Sequence, residues 1–279
     1  MASLNPNTNV LGTAFAKHLL RRASFVYSKT IIDQFSVLTP SQALDLLLAN
    51  DPLTLPLPYD PTPTTAPDGY WTESTNTPSS FNAQARKRSI IAGWWWFNAI
   101  NSPTLKYKLC HFLSTRFTVE KSLCGASTYF YDHIRLLLFY SNGNYKSLAK
   151  KMTLDNSMLI YLNNTSNSKT APNENYAREF LELFTIGKGP QIAAGNYTNY
   201  TEADIVQAAR VLTGFRYRSD RSVIDAITGI PKGYNVFSSH DNTGSKVFSS
   251  AFGNTTIASA TDAIGMDTEL NSFVDMVFN

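Results

Sequence analysis

Charge is scarce in this sequence. Asp, Glu, Lys and Arg make up 16% of the 279 residues and leave a net charge of +3, so Asn, Ser, Thr and Tyr must solvate much of the surface. That balance does not announce nucleic acid, whose binding rests on clustered cations. The densest basic cluster is Arg86-Lys87-Arg88; Arg21-Arg22 and the trio Arg216, Arg218 and Arg221 are smaller. None is interleaved with the aromatic platform of a single-strand binder. Cysteine is scarcer still. Cys110 and Cys124 are the only two, too few for a disulfide framework and without CxxC or zinc-ligand spacing, so no metal is assigned. Cys110 beside His111 reads as a small buried thiol on a helix. Long apolar runs are missing, and none reaches the roughly 20 residues of a membrane span. The start, Met1-Ala-Ser-Leu-Asn-Pro-Asn7, lacks the basic segment and apolar core of a secretory signal. A soluble, cytoplasmic protein is the default expectation, while a polar, Tyr-rich surface also suits an exported one. No Walker loop, dinucleotide fingerprint, HExxH or nucleophile elbow occurs, which removes the usual nucleotide, zinc-protease and serine-hydrolase forms. No cofactor is indicated.

What is present is helix signal around an ample core, with 43% of residues hydrophobic in a chain of this length. The expected fold is all-α, a single multi-helical domain over residues 1–279. Leu11, Phe15 and Leu19 repeat every fourth residue, and Ser28 can cap a turn carrying Ile31, Ile32 and Phe35. Thr39-Pro40-Ser41-Gln42 is a capping box with proline at the first helical position, and Leu44, Leu47 and Leu48 form the predicted buried stripe. Residues 51–80 hold Pro52, Pro56, Pro58, Pro61, Pro63, Pro67 and Pro78, a density that forbids helix and central strand. Tyr59, Tyr70 and Trp71 within it mark a loop that wraps the domain.

Helices resume in 81–214. Trp94, Trp95, Trp96 and Phe97 point almost all round their helix, which predicts burial on most sides; core packing is the plain role of Trp94, carbohydrate stacking the sharper one. Leu105, Leu109, Phe112 and Leu113 face inward on the next helix. Asp155 caps a short helix, and Thr201-Glu-Ala-Asp204 is a second capping box, with Gly214 closing its helix. Residues 215–279 read as a small hairpin, a loop and a final helix with Leu270, Phe273, Val274 and Val277 inward. That helix stops on its apolar half, so the chain is expected to be incomplete at its C-terminus.

The most informative helix comes after Pro172. At about 100° per residue, Tyr176, Ala177, Phe180, Leu181, Leu183 and Phe184 share one side; Glu174, Asn175, Arg178, Glu179 and Glu182 share the other. Glu174, Arg178 and Glu182 stand at successive i, i+4 spacings, a cation between two carboxylates. The plainer reading is a salt-bridge ladder in solvent. The sharper one is a sheltered acid–base set, or hard oxygen ligands oriented by the arginine.

Asn173-Glu-Asn-Tyr-Ala-Arg-Glu-Phe-Leu-Glu-Leu-Phe-Thr-Ile-Gly187, Tyr200-Thr-Glu-Ala-Asp204 and Ala209-Arg-Val-Leu-Thr-Gly214 closely resemble the bacterial family called domain of unknown function 1800. His18-Leu-Leu-Arg-Arg-Ala-Ser-Phe25 and His240-Asp241-Asn-Thr-Gly244-Ser-Lys246 look like its flanking motifs. The resemblance spans essentially the whole chain. Members are usually longer, are often encoded beside a sulfatase-like family, and many are predicted to be exported, so the resemblance implies a sulfatase-like partner and allows export. Relatives often carry an aromatic–His–x–His–Phe element where this chain reads Phe112-Leu-Ser-Thr-Arg-Phe117. Ser114 and Arg116 stand at the histidine positions, and neither replaces an imidazole. His111, one turn earlier, is a partial substitute at best.

The remaining histidines of interest are His133, between Asp132 and Arg135, and His240, before Asp241. Either can move protons near neutrality; each alone is more often structural. The loop 238–244 could cradle a cation or phosphate, a polar turn being the plainer reading. Asn175, Asp204, Arg210, Asp241, Lys246 and Trp94 complete the binding candidates. The favoured reading is a non-catalytic helical scaffold or binding module. The alternative is a hydrolase or lyase on a polar or glycan substrate, using Glu174, Glu179 or Glu182, oriented by Arg178 and assisted by His133 or His240.

Overall fold

Local capping signals start the first helices. In the computed structural model, which describes residues 7–49, 56–62, 69–73 and 81–279, these are α1 (Gly12–Ala23), α2 (Lys29–Ser36) and α3 (Pro40–Leu48). Ser28 Oγ accepts the Ile31 N–H, and Thr39 and Gln42 exchange the two bonds of a capping box. Leu20, Phe35, Ala43 and Leu47 meet in a small apolar cluster, and Leu105 packs against it. Two expectations need correction. Leu44 and Leu48 are about half exposed and Phe15 is 62% exposed. The cluster needs only one narrow i, i+4 row from each short helix, and the rows Ala43/Leu47 and Ala16/Leu20 supply it.

The main core is built by α4 (Phe81–Asn101), α5 (Lys106–Arg116), α6 (Ser127–Phe139), α7 (Tyr145–Met152), α8 (Asn156–Tyr161), α9 (Glu174–Glu179), α10 (Glu202–Val211) and α11 (Ala263–Val277). Ten of the 13 residues of α6 are buried, and α4, α5 and α8 pack around it. The central helix is therefore α6, not the Trp-rich α4. Trp95 is buried, but Trp96, Phe97 and Ile100 are about half exposed. Four consecutive aromatics sweep some 300° of a helix, so a helix docked on one side must leave part of the run outside. On α5, likewise, Phe112 turns out to solvent while Leu113 is buried. On α11 all four expected residues are buried.

The described parts of the proline-rich segment wrap as expected. Tyr59 and Tyr70 form an antiparallel bridge, and Asp60 takes a two-nitrogen contact from Arg86 of α4 at 2.9 and 3.1 Å. Trp71 is fully buried, its indole N–H donating to Ser127 Oγ at 3.0 Å. Trp94 donates to the Pro56 carbonyl at 2.7 Å. Pro52, Pro63, Pro67 and Pro78 lie outside the described residues. Among the described residues, three tiny antiparallel hairpins decorate the helices: β1 (Gln191–Ala193) with β2 (Asn196–Tyr197), β3 (Phe215–Arg216) with β4 (Tyr234–Asn235), and β5 (Lys246–Val247) with β6 (Thr256–Ile257). The middle one is the hairpin the alternation predicts. Among the described residues no helix is long and apolar enough to cross a membrane.

Candidate functional site

The helix of the long motif changes type partway. Asn173 Oδ1 accepts the Asn175 N–H at 2.9 Å and starts α9. After Glu179 the chain continues as a π-helical turn over Phe180–Phe184. A π turn spends one more residue per turn than an α turn, so it shifts the facing of its own residues. The Glu182 side chain, placed outside by a regular wheel, is 9% exposed, whereas Leu183, placed inside, is 58% exposed.

The ladder also serves as a clamp between helices. Arg178 forks onto Glu202 of α10 at 2.9 and 2.7 Å and also reaches Glu174 at 3.2 Å and Glu182 at 3.5 Å. Glu182 further accepts the Tyr200 hydroxyl and meets Lys188 Nζ at 3.0 Å. The bond to Glu202 drives Arg178 further above its ordinary pKa, and the same bond lowers Glu202. Arg178, Glu174 and Glu202 remain 32%, 44% and 43% exposed, where individual ion pairs contribute little. Among the described residues, Glu174 and Glu182 line none of the principal cavities. Asn175 is exposed and donates to the Leu162 carbonyl at 3.1 Å. Glu179, by contrast, joins no ion pair among the described residues and borders a cavity.

The later motif forms a second cluster. His240, Lys246 and Glu269 are almost completely buried together. His240 Nε2 lies 3.0 Å from Glu269 Oε2, and Lys246 Nζ lies 2.6 Å from Glu269 Oε1, a charge contact at a poor hydrogen-bond angle. The Thr213 hydroxyl donates to the Arg210 carbonyl, so His240 Nδ1 donates to the Thr213 carbonyl at 2.9 Å. Asp241 takes Arg210 Nε at 2.7 Å and the Thr243 N–H and hydroxyl. Burial pushes its pKa up, but these bonds outweigh that and hold it well below the carboxylate range. Asp204 closes the Thr201 capping box and accepts the N–H and hydroxyl of Ser249. His240, Asp241, Lys246, Arg210 and Asp204 thus fasten residues 240–249 between α10 and α11.

The third arrangement has room for a ligand. A cavity of about 340 Å³ lies between α4, α5 and α6, walled by Trp95, Trp96, Phe130, Ile134 and Leu137 and touched by Ser114, His111 and Cys110. His133 of α6 is on its wall, 2% exposed. Its Nδ1 is 3.0 Å from Asp155 Oδ1, and that oxygen also caps α8 by accepting the Met158 N–H at 2.8 Å. Asp155 is therefore a cap, as its spacing predicts, and also the orienting partner of a histidine, which local spacing does not disclose. Ser114 Oγ donates back to the His111 carbonyl at 2.7 Å, and burial pushes the Cys110 thiol up to about 12. No activated nucleophile among the described residues faces the histidine. Trp94 is outside this wall, turned to Pro56 and Tyr131. Arg116, the other family histidine position, opens onto a different cavity from Ser114. A larger space of about 620 Å³ near the end of α11 is lined by no acidic, basic or histidine side chain among the described residues.

The all-helical scaffold thus carries an aromatic-walled cavity with a buried Asp–His pair at its wall. Residues 18–279 match the family described as a protein of unknown function (DUF1800), and the chain belongs to that family. Comparison with the curated proteins and with the solved structures finds no match.

Proposed function

We propose that the chain is a helical binding module whose ligand occupies the cavity between α4, α5 and α6. The observation that carries this reading is His133, buried on an apolar wall with Nδ1 held by Asp155. Asp155 Oδ1 already accepts the Met158 N–H, so Nδ1 donates to it and Nε2 is the ring nitrogen left to meet a ligand. The space of about 340 Å³ lies at the small end of the roughly 300–1,000 Å³ of ligand sites. An engineered cavity of about 150 Å³ already holds benzene. The ligand class is thus a one- or two-ring apolar molecule with a hydroxyl or N–H directed at His133.

Phenol, indole and cyclohexanol are expected to raise the melting temperature, with toluene as the donor-free control. Losing one hydrogen bond of about 1–1.5 kcal/mol should weaken phenol roughly tenfold in His133→Leu and leave toluene unchanged. Equal weakening of both ligands, or no shift with any of them at millimolar concentration, would remove the assignment.

The same pair supports one catalytic reading. A histidine oriented by a carboxylate can abstract a proton from a bound molecule without a protein nucleophile. In the hydrolase or lyase alternative based on residues 173–186, Glu179 is the carboxylate that has space beside it.

A further inference from the structure

A second cavity, of about 350 Å³, lies where the C-terminal end of α5 meets the π turn. Its wall carries one cation and one anion. Arg116 is exposed and forms no ion pair among the described residues; its guanidinium lies 5.6 Å from the Phe112 ring centre. Glu179 is half-buried and, among the described residues, unbonded. The cations that act on Glu179 are paired elsewhere, Arg178 to Glu174, Glu182 and Glu202, and Lys188 to Glu182. Burial, and then the neighbouring Glu182 charge, push the Glu179 carboxyl above its ordinary range. Such a group is costly to leave ionised without a partner. Between the two charges the wall is apolar, from Leu162, Leu183 and Phe184. The π turn creates this surface, since it turns Leu183 outward beside Glu179, and π bulges recur at functional sites.

A ligand with one charge would satisfy one wall and leave the other unmatched. A ligand carrying both charges and an apolar substituent fits all three features. We propose that this cavity binds an apolar α-amino acid as its zwitterion, carboxylate on Arg116, ammonium on Glu179 and side chain against Leu162, Leu183 and Phe184. The site is separate from the His133 cavity.

Isothermal calorimetry on the full chain tests it with leucine, phenylalanine, N-acetyl-leucine (no cation) and leucinamide (no anion). Leucine or phenylalanine should bind, and Glu179→Gln and Arg116→Gln should each weaken binding about tenfold or more, as expected for a lost charged hydrogen bond. N-acetyl-leucine should be insensitive to Glu179→Gln, and leucinamide insensitive to Arg116→Gln. Neither side chain holds the fold together, so both variants should melt with the wild type. His133→Leu should leave leucine binding unchanged, which separates this site from the ring-binding cavity. Absence of binding by both amino acids at millimolar concentration overturns the proposal. So does affinity indifferent to either substitution, or equal affinity for the blocked ligands.

Discussion

Replacing Glu269 with alanine is expected to cost about 3–5 kcal/mol of stability, the range for removing one partner from a buried ion pair. Glu269 of α11 receives three groups inside the protein: His240 Nε2, Lys246 Nζ and the Ala260 N–H, the last at 2.7 Å. Lys246 has no exposed surface. In the alanine variant its ammonium would keep only the Asp241 carbonyl and Ser259 Oγ, neither of them a charge. Glu269→Gln should cost less, because an amide oxygen can still accept from Ala260. Urea unfolding of both variants measures this, and a midpoint for Glu269→Ala within error of the wild type would show that the cluster contributes nothing. The loss should spread beyond α11. The Phe273 ring of the same helix packs at a tilt with its centre 5.2 Å from that of Phe180, the first residue of the π turn, so loosening α11 removes support from the motif helix. His240, Asp241 and Lys246 of the His-Asp-x-x-Gly-x-Lys element all take part in this fastening.

Local chemistry was readable and long-range pairing was not. Thr39 with Gln42, Thr201 with Asp204, and the cap at Asp155 all act within three residues, so spacing alone exposes them. The four buried positions of α11 come from one amphipathic period. The polar pairs that build the sites have no period at all. His133 meets Asp155 across 22 residues, Arg178 meets Glu202 across 24, His240 meets Glu269 across 29, and Arg221 meets Asp132 across 89. His133 could be singled out by its chemistry, but its cavity depends on which faces of α4, α5 and α6 meet. The π turn was invisible for a related reason. A wheel assumes constant rotation, and one extra residue in a turn exchanged the environments of Glu182 and Leu183. Charge on the motif helix was legible as a set of residues; the partner that organises it, Glu202, sits on another helix.

Asp132 and Arg221 form another deeply buried pair, and their response to pH is opposite to that of an ordinary ion pair. Arg221 adopts a left-handed backbone, φ 54°, a conformation that costs a non-glycine residue roughly 1–2 kcal/mol. It thereby lays a two-nitrogen fork on Asp132 at 2.9 and 2.8 Å. Burial raises the Asp132 pKa and the Arg221 bonds lower it; burial wins, and the carboxyl is pushed up to about 7. The unfolded value is about 3.9. Between those values the folded protein holds a proton that the unfolded chain has released, so ν_U − ν_N is negative and this group's contribution to stability falls as pH rises from about 4 to 7. Asp132→Asn preserves an acceptor for Arg221 and cannot titrate. The stability of the wild type minus that of Asp132→Asn should therefore decline across that window and level off above it. A difference that climbs over the same interval would mean that Arg221 outweighs burial. Asp132→Ala, measured at pH 8, should cost about 3–5 kcal/mol, because it removes both oxygens that accept from the buried guanidinium, whereas Asp132→Asn keeps one of them. That loss would also be felt beside the ring-binding cavity, since Asp132 and His133 are neighbours on α6 and a loosened α6 no longer holds His133 against Asp155. Ligand-induced stabilisation in Asp132→Ala should accordingly shrink along with the fold, whereas in Asp132→Asn both should survive.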